Sequence, residues 1–200
     1  MTAPGEIIEA LRRARRVFIT THVVPDGDAV GSLLGMKLAL ERLGKQCEAS
    51  LSDPVPPSLR FLPGSAEVRS GKCGAASRYD LALVLDCGSL DRVGQCAETV
   101  EACPVSVNID HHATNTRFAL INWVDTEAAA TCQLVAELIA AMGVAYDSDI
   151  ATCLFTGLST DTGSFRYSNT RASTFRTAAE LADAGARPCP LYTSPSPRDS

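Results

Sequence analysis

The chain has 200 residues, of which 46% are hydrophobic and 20% charged, with a formal net charge of −5. That is an ordinary globular composition, with room for one sizeable core or at most two small ones. The negative balance excludes a broad non-specific grip on long double-stranded nucleic acid, which needs clustered Lys and Arg to displace phosphate counterions. It allows a short or small phosphorylated ligand, and acidic residues gathered around a divalent cation give the same negative total.

The N-terminal "MTAPGEIIEALRRARR" has the Arg content of a transit peptide, but Glu6 and Glu9 spoil that composition, and Ile7, Ile8 and Leu11 are spaced for an amphipathic helix. Apolar runs rich in β-branched residues follow at 17–22 ("VFITTH"), 47–52, 81–88 ("LALVLDCG") and 104–110 ("PVSVNID"), with a weaker one at 118–124. Their near-continuous hydrophobicity is that of strands covered on both faces. Helical patterns lie between and after them: 28–45 closing at Gly44, 127–143 closing at Gly143, 148–163, and 172–185 closing at Gly185. This alternation predicts an α/β fold, a doubly wound, mostly parallel five-stranded sheet with helices on both faces, in one domain over residues 1–187. The Pro- and Ser-rich stretch at 188–200 reads as a disordered or non-native tail.

Eight cysteines form no C-x-x-C pair, and several sit inside apolar runs, which predicts reduced, buried thiols in a cytoplasmic protein. No run approaches the roughly 18 apolar residues of a membrane span, so no membrane partner is expected.

The polar residues at the carboxyl ends of the expected strands form a set. The first strand delivers His22 and then "VVPDGDAVGS" with Asp26 and Asp28; the third delivers Asp86; the fourth delivers Asp110, His111 and His112; and Asp161 ends a helix able to lie across the same rim. All three histidines of the chain fall there, and ligands of doubly wound sheets collect at that edge. Carboxylates with imidazoles suit Mn²⁺ or a similar first-row divalent ion. Asp26 and Asp28, two apart in a turn, can serve two neighbouring cations, with Asp86 as the natural bridge. Successive side chains of an extended segment point in opposite directions, so one of the paired histidines would bind metal and the other face the substrate. Taken singly, each residue has a plainer role: Asp28 as a helix N-cap in the "PDGD" turn, Asp86 as a strand-end cap, and His111 as a structural histidine. Cys87 and Trp123 read as packing.

"HVVPDGDAVGS", "LDCGSLDRVG", "NIDHHATNTRF" and "GLSTDTGSFRYSNT", in this order, resemble the four motifs of the DHH phosphoesterases, a RecJ-like superfamily, over residues 5 to 187. "LDRVG", "NWVDTEAAAT" and "DTGSFRYSNT" are most similar to the branch that degrades very short oligonucleotides and removes the 3′-phosphate of adenosine 3′,5′-bisphosphate. The resemblance implies two Mn²⁺ ions, with Mg²⁺ or Co²⁺ as substitutes. His22 and Asp26 would hold one ion and Asp28, His111 and Asp161 the other, with Asp86 bridging. His112 would contact the scissile phosphate, and Asp110 would orient its neighbours. Arg166 and Asn169 would touch the substrate, and water activated by the two metals would be the nucleophile. Short oligonucleotides or phosphorylated nucleotides are the implied partners, and a homodimer is left open. Members of the family continue into a second, smaller domain with a Gly-rich substrate-binding motif, which these 200 residues lack. The alternatives are a pyrophosphatase or polyphosphatase of the same superfamily, and a catalytically silent metal-binding fragment.

Overall fold

The computed structural model describes residues 4–71 and 73–187, so the expected tail at 188–200 lies outside the described residues. Helix α1 (Gly5–Arg13) buries Ile7 and Leu11 and leads into strand β1 (Arg16–Thr20). There follow α2 (Gly27–Arg42), β2 (Gln46–Leu51), β3 (Arg69–Ser70), β4 (Leu81–Leu85), α3 (Ala97–Ala102), β5 (Ser106–Asp110), β6 (Ile121–Val124), α4 (Thr131–Ala141), α5 (Ser148–Asp161) and α6 (Ala172–Asp183). Among the described residues, no helix is long and apolar enough to cross a membrane.

Every strand pairing is parallel, in the order β3-β2-β1-β4-β5-β6. The doubly wound α/β architecture is the expected one, but the sheet has six strands rather than five. The additional strand, β3, is two exposed polar residues paired with Ser50 and Leu51. It carries no apolar period, so only its hydrogen-bonded neighbour defines it. Strand β1 lies between β2 and β4, and the chain leaves it on one side and returns on the other. A crevice therefore opens beyond the carboxyl ends of β1 and β4, where the winding reverses.

The central strands alternate between two unequal cores. Val17, Ile19, Leu81, Leu83, Leu85, Val107 and Ile109 face the main core with residues of α1, α2, α4 and α5. Phe18, Ala82 and Val84 face a smaller cluster with Tyr79, Val93, Cys96 and Val100. Burial on both faces explains runs that show no polar alternation. In the smaller cluster Cys73 and Cys96 form a disulfide, which corrects the expectation that all thiols are reduced. The two cysteines are 23 residues apart without a local motif, and only the fold brings them together. Cys87, Cys103, Cys132 and Cys153 are free and buried, as expected, and Cys47 is free and half-buried.

Helix α5 reaches the rim because it packs closely against α2. A Cβ on Gly27 would lie 2.4 Å from Thr160 Oγ1, one on Gly31 2.5 Å from the Cys153 carbonyl, and one on Gly35 2.7 Å from Leu154 Cδ2. Gly27 at the start of α2 meets Thr160 near the end of α5, and Gly35 further along α2 meets Leu154 further back on α5, so the helices are antiparallel. At the same junction a Cβ on Gly157 would lie 2.3 Å from Cys132 Sγ and 2.9 Å from the Asp28 backbone. Gly157→Ala is expected to destabilise the protein by about 1–3 kcal/mol through overpacking. Urea unfolding measures this, and an unchanged midpoint would rule out the close approach.

Candidate metal centre

Three strand ends and two helix ends build the site. His22 follows β1, Asp86 follows β4, and Asp110 closes β5, with His111 and His112 next. Asp86 has φ 53°, an uncommon left-handed conformation that Asp tolerates better than most residues, and it turns the chain sharply off the strand. In the loop after β1, Val24 has φ 53° as well, which for a β-branched residue is a strained conformation. Asp26 is the N-cap of α2, and its Oδ1 accepts from the Asp28 and Ala29 amides at 3.0 and 3.1 Å. The cap of the "PDGD" turn is thus Asp26, whereas Asp28 lies inside the first turn, fully buried. Asp161 is the last residue of α5.

These side chains converge in overlapping groups whose candidate ligand atoms lie within 4.8 Å of one another: His22, Asp26 and Asp86; Asp28, His111 and Asp161; and Asp86, His111 and His112. His22 Nδ1 is 2.7 Å from the Val23 carbonyl, which can only accept, so Nδ1 carries the hydrogen. That leaves the lone pair on Nε2, 3.5 Å from Asp86 Oδ2. His111 Nε2 is buried without a hydrogen-bond partner, although Asp161 Oδ2 is at 3.2 Å, Asp86 Oδ1 at 3.6 Å and Asp28 Oδ2 at 3.8 Å. A buried imidazole nitrogen facing three carboxylates, with no bond of its own, fits the surroundings of a divalent cation. The donor set of imidazole and carboxylate fits it equally.

The charges tell the same story. Burial raises the Asp28 carboxyl well above the ordinary carboxylate range, and Asp86 and Asp161 push it further. Burial also raises Asp26. For His111 burial acts to lower the pKa, but Asp161, Asp28 and Asp86 outweigh it and bring the imidazole up to about 9. His22 is raised too, its carboxylate neighbours outweighing burial. Without cations, then, the cluster retains protons in their place.

Asp110 stands apart from these groups. Fully buried, it takes His112 Nδ1 on Oδ1 at 2.7 Å and Asn115 Nδ2 on Oδ2 at 2.6 Å. Burial acts to raise its pKa, and the bonds from His112 and Asn115 outweigh it and leave the carboxyl below its usual value. The hydrogen bond to Asp110 in turn raises His112, whose side chain is 46% exposed at the mouth of the site. Asn115 also donates to Asn108 Oδ1 at 2.8 Å, which ties the loop to β5.

The two expected substrate contacts are not brought into the cluster. The Asn169 amide donates to the Ala129 and Asp161 carbonyls at 3.1 and 3.0 Å, so both its hydrogens fasten the loop after α5. Arg166 is exposed on the same loop. Thr131, conversely, has a place that sequence reasoning did not give it. Its hydroxyl donates to Asp86 Oδ1 at 2.9 Å and its amide to Asp28 Oδ2 at 2.6 Å, while the Cys132 amide donates to Asp28 Oδ1 at 2.8 Å. Helix α4 has no side-chain cap from Ala130, and Asp28 supplies one from another element. The positive end of α4 thus fixes two carboxylates of the cluster. The sequence did hold a signal for the α2–α5 contact, the four-residue spacing of Gly27, Gly31 and Gly35.

Residues 16–158 match the family model described as the DHH family, N-terminal domain. This chain belongs to the DHH family. It is 40% identical over 190 residues to the bifunctional oligoribonuclease and PAP phosphatase NrnA of Thermus thermophilus, covering 94% of this chain and 55% of the relative. It is 27% identical over 179 residues to the protein of the same name in Bacillus subtilis, covering 88% of this chain and 55% of that one. The chain thus spans about half the length of these curated relatives. An exopolyphosphatase-related protein of Bacteroides fragilis has the same fold, with a TM-score of 0.85 at 28% identity over 96% of this chain and 60% of that chain. The family match takes in five of the six residues of the two mixed His and Asp groups, and the sixth, Asp161, lies just past its end at residue 158.

The pKa shifts set the pH dependence of the metal-free DHH domain. A histidine raised in the folded state stabilises fully below its unfolded pKa of about 6.5 and ceases to do so as pH rises through its folded value. For His111 that window runs from 6.5 to about 9, and the raised Asp26 and Asp28 carboxyls act in the same direction. Thermal unfolding of protein treated with chelator should therefore show a falling midpoint between pH 6.5 and 9. A rising midpoint would contradict the assigned cluster.

Proposed function

We propose that residues 1–187 form the metal-binding catalytic domain of a phosphoesterase that hydrolyses short oligonucleotides or the 3′-phosphate of adenosine 3′,5′-bisphosphate. One observation carries this reading: two mixed groups of imidazole and carboxylate, His22 with Asp26 and Asp86, and Asp28 with His111 and Asp161, lie side by side, with Asp86 of the first 3.6 Å from His111 of the second. Paired cations joined by a carboxylate suit phosphate displacement, because both the attacking and the leaving oxygen need stabilisation. His22, Asp26 and Asp86 would hold one Mn²⁺, and Asp28, His111, Asp161 and Asp86 the other. When bound, the cations supply Lewis acidity to the phosphoryl oxygens and lower the pKa of water.

The remaining residues bind and orient. His112, partly exposed beside the cluster and held through Nδ1 by Asp110, presents its other nitrogen to the scissile phosphate. Asp110 raises its pKa, which favours the charged form of the ring that would face the phosphate's negative oxygens. Asp110 keeps the ring in place, and Asn115 keeps Asp110 in place. The names of the Thermus and Bacillus relatives support the nucleotide substrates. The name of the Bacteroides relative supports a second reading, hydrolysis of an inorganic polyphosphate by the same residues. A cytoplasmic location accords with nucleotide substrates.

The protein is expected to bind about two Mn²⁺ and Asp86→Ala to lose them, measured by calorimetry; a variant that keeps two Mn²⁺ would overturn the bridging role. Hydrolysis of adenosine 3′,5′-bisphosphate, a dinucleotide and pyrophosphate should separate the two readings, and His112→Ala should abolish whichever activity is found. No metal-dependent hydrolysis of any of the three would leave a metal-binding domain without catalysis. Thr131→Val keeps the amide and removes the hydroxyl on Asp86, and should weaken Mn²⁺ binding about tenfold, with Thr131→Ser retaining most of the affinity.

A further inference from the structure

The "LDRVG" segment at 90–94 supplies no residue to the metal cluster, yet the fold holds it from several sides. It lies in the 3-10 helix Leu90–Cys96. The Arg92 carbonyl accepts from the Val23 amide at 2.7 Å, and the Ser52 hydroxyl donates to the Val93 carbonyl at 2.8 Å and accepts from the Gln95 amide at 2.7 Å. Val93 is fully buried. Gly94 has φ 66°, and a Cβ there would lie 2.5 Å from Ser52 Oγ and 2.6 Å from Val23 Cγ1, so glycine alone fits. Packing accounts for Val93 and close approach for Gly94. Neither accounts for the Arg92 side chain, whose backbone these contacts fix beside His22.

That side chain is exposed, and among the described residues no ion pair includes it. The polar atom within its reach is His22 Nδ1, at 3.4 Å. This is not a hydrogen bond, because His22 Nδ1 already donates to the Val23 carbonyl and so offers hydrogen against hydrogen. The guanidinium therefore has unused donors on the face it turns to the site. With His22, Asp86, Gly88, His112 and Thr114 it lines a small cleft of about 50 Å³. An unpaired cation held at the edge of a metal cluster is suited to an anion that enters with the substrate.

We propose that Arg92 is a phosphate-binding residue whose guanidinium takes the non-bridging oxygens of the substrate's phosphoryl group in this cleft, alongside His112. The proposal rests on the phosphoesterase reading given above. A planar guanidinium can grip two phosphate oxygens at once, whereas an ammonium offers only a point charge. Its charge also offsets that of the phosphate on a rim that gathers four carboxylates. Here the short clamped helix gives the long side chain a fixed base.

The test compares wild type, Arg92→Ala and Arg92→Lys. Mn²⁺ binding is measured first, and the Mn²⁺-loaded proteins are then titrated with inorganic phosphate by calorimetry. Expected are equal Mn²⁺ stoichiometry and affinity in all three, about tenfold weaker phosphate binding or more in Arg92→Ala, and an intermediate value in Arg92→Lys. Phosphate affinity of Arg92→Ala within about twofold of wild type would overturn the proposal, as would wild type that holds Mn²⁺ but takes no phosphate. Loss of Mn²⁺ in Arg92→Ala would also overturn it, making Arg92 a support for His22. Should wild type take up no Mn²⁺, the metal-centre reading falls instead. The same phosphate comparison on metal-free protein then decides the role of Arg92 by the tenfold criterion.

Discussion

Four carboxylates, Asp26, Asp28, Asp86 and Asp161, are forced together at one edge of the sheet, and their mutual repulsion is the constraint on which the rest of the structure turns. Like charges at this separation in a partly buried site oppose folding unless something positive lies among them. Two imidazoles stand inside the group, and one of them has a buried nitrogen with no bond. A fold that gathers such a cluster must either hold protons there or bind cations. The proposed metal centre follows from that choice, and so does the dependence of stability on pH.

Assembly of the cluster depends on elements far apart in sequence. The switch in winding direction puts the ends of β1 and β4 side by side, and β5 adds the histidine pair from the next position. Asp161 arrives only because glycines at 27, 31, 35 and 157 let α5 lie close along α2. Helix α4 closes the arrangement from a third direction, its first amides and the Thr131 hydroxyl holding Asp28 and Asp86. Asp26, Asp28 and Asp86 are thus fixed by backbone donors or by a neighbouring hydroxyl, which limits the rearrangement that cation binding would require.

The two faces of the sheet have divided roles. The larger core, under α2, α4 and α5, supplies rigidity and two of the carboxylates. The smaller one anchors the Leu90–Cys96 helix through Val93 and the Cys73–Cys96 disulfide, and so fixes the base of Arg92. Cation-gathering residues and the proposed anion-binding residue meet at the rim between them.

Much was legible in the residues themselves. Apolar runs and glycine stops gave the alternation of strands and helices, and strand polarity alone put His22, Asp86, Asp110, His111 and His112 on one edge, because every parallel strand ends there. The order of the motifs gave the family. Local pattern could not reveal β3, which is a strand only by pairing, or the Cys73–Cys96 bond, which needs two loops to meet. Nor could it tell that Asp26 rather than Asp28 caps α2, since either spacing suits a cap and burial decided between them. Asn169 carries a side chain suited to a ligand, but its hydrogens are spent on two carbonyls. The sequence by itself determined the chemistry available, because side-chain type and strand direction are local properties. Which groups share a cation, which hold a neighbour in place and which remain free for a substrate was decided by tertiary structure, because those depend on distances between segments as much as 133 residues apart, as Asp28 and Asp161 are.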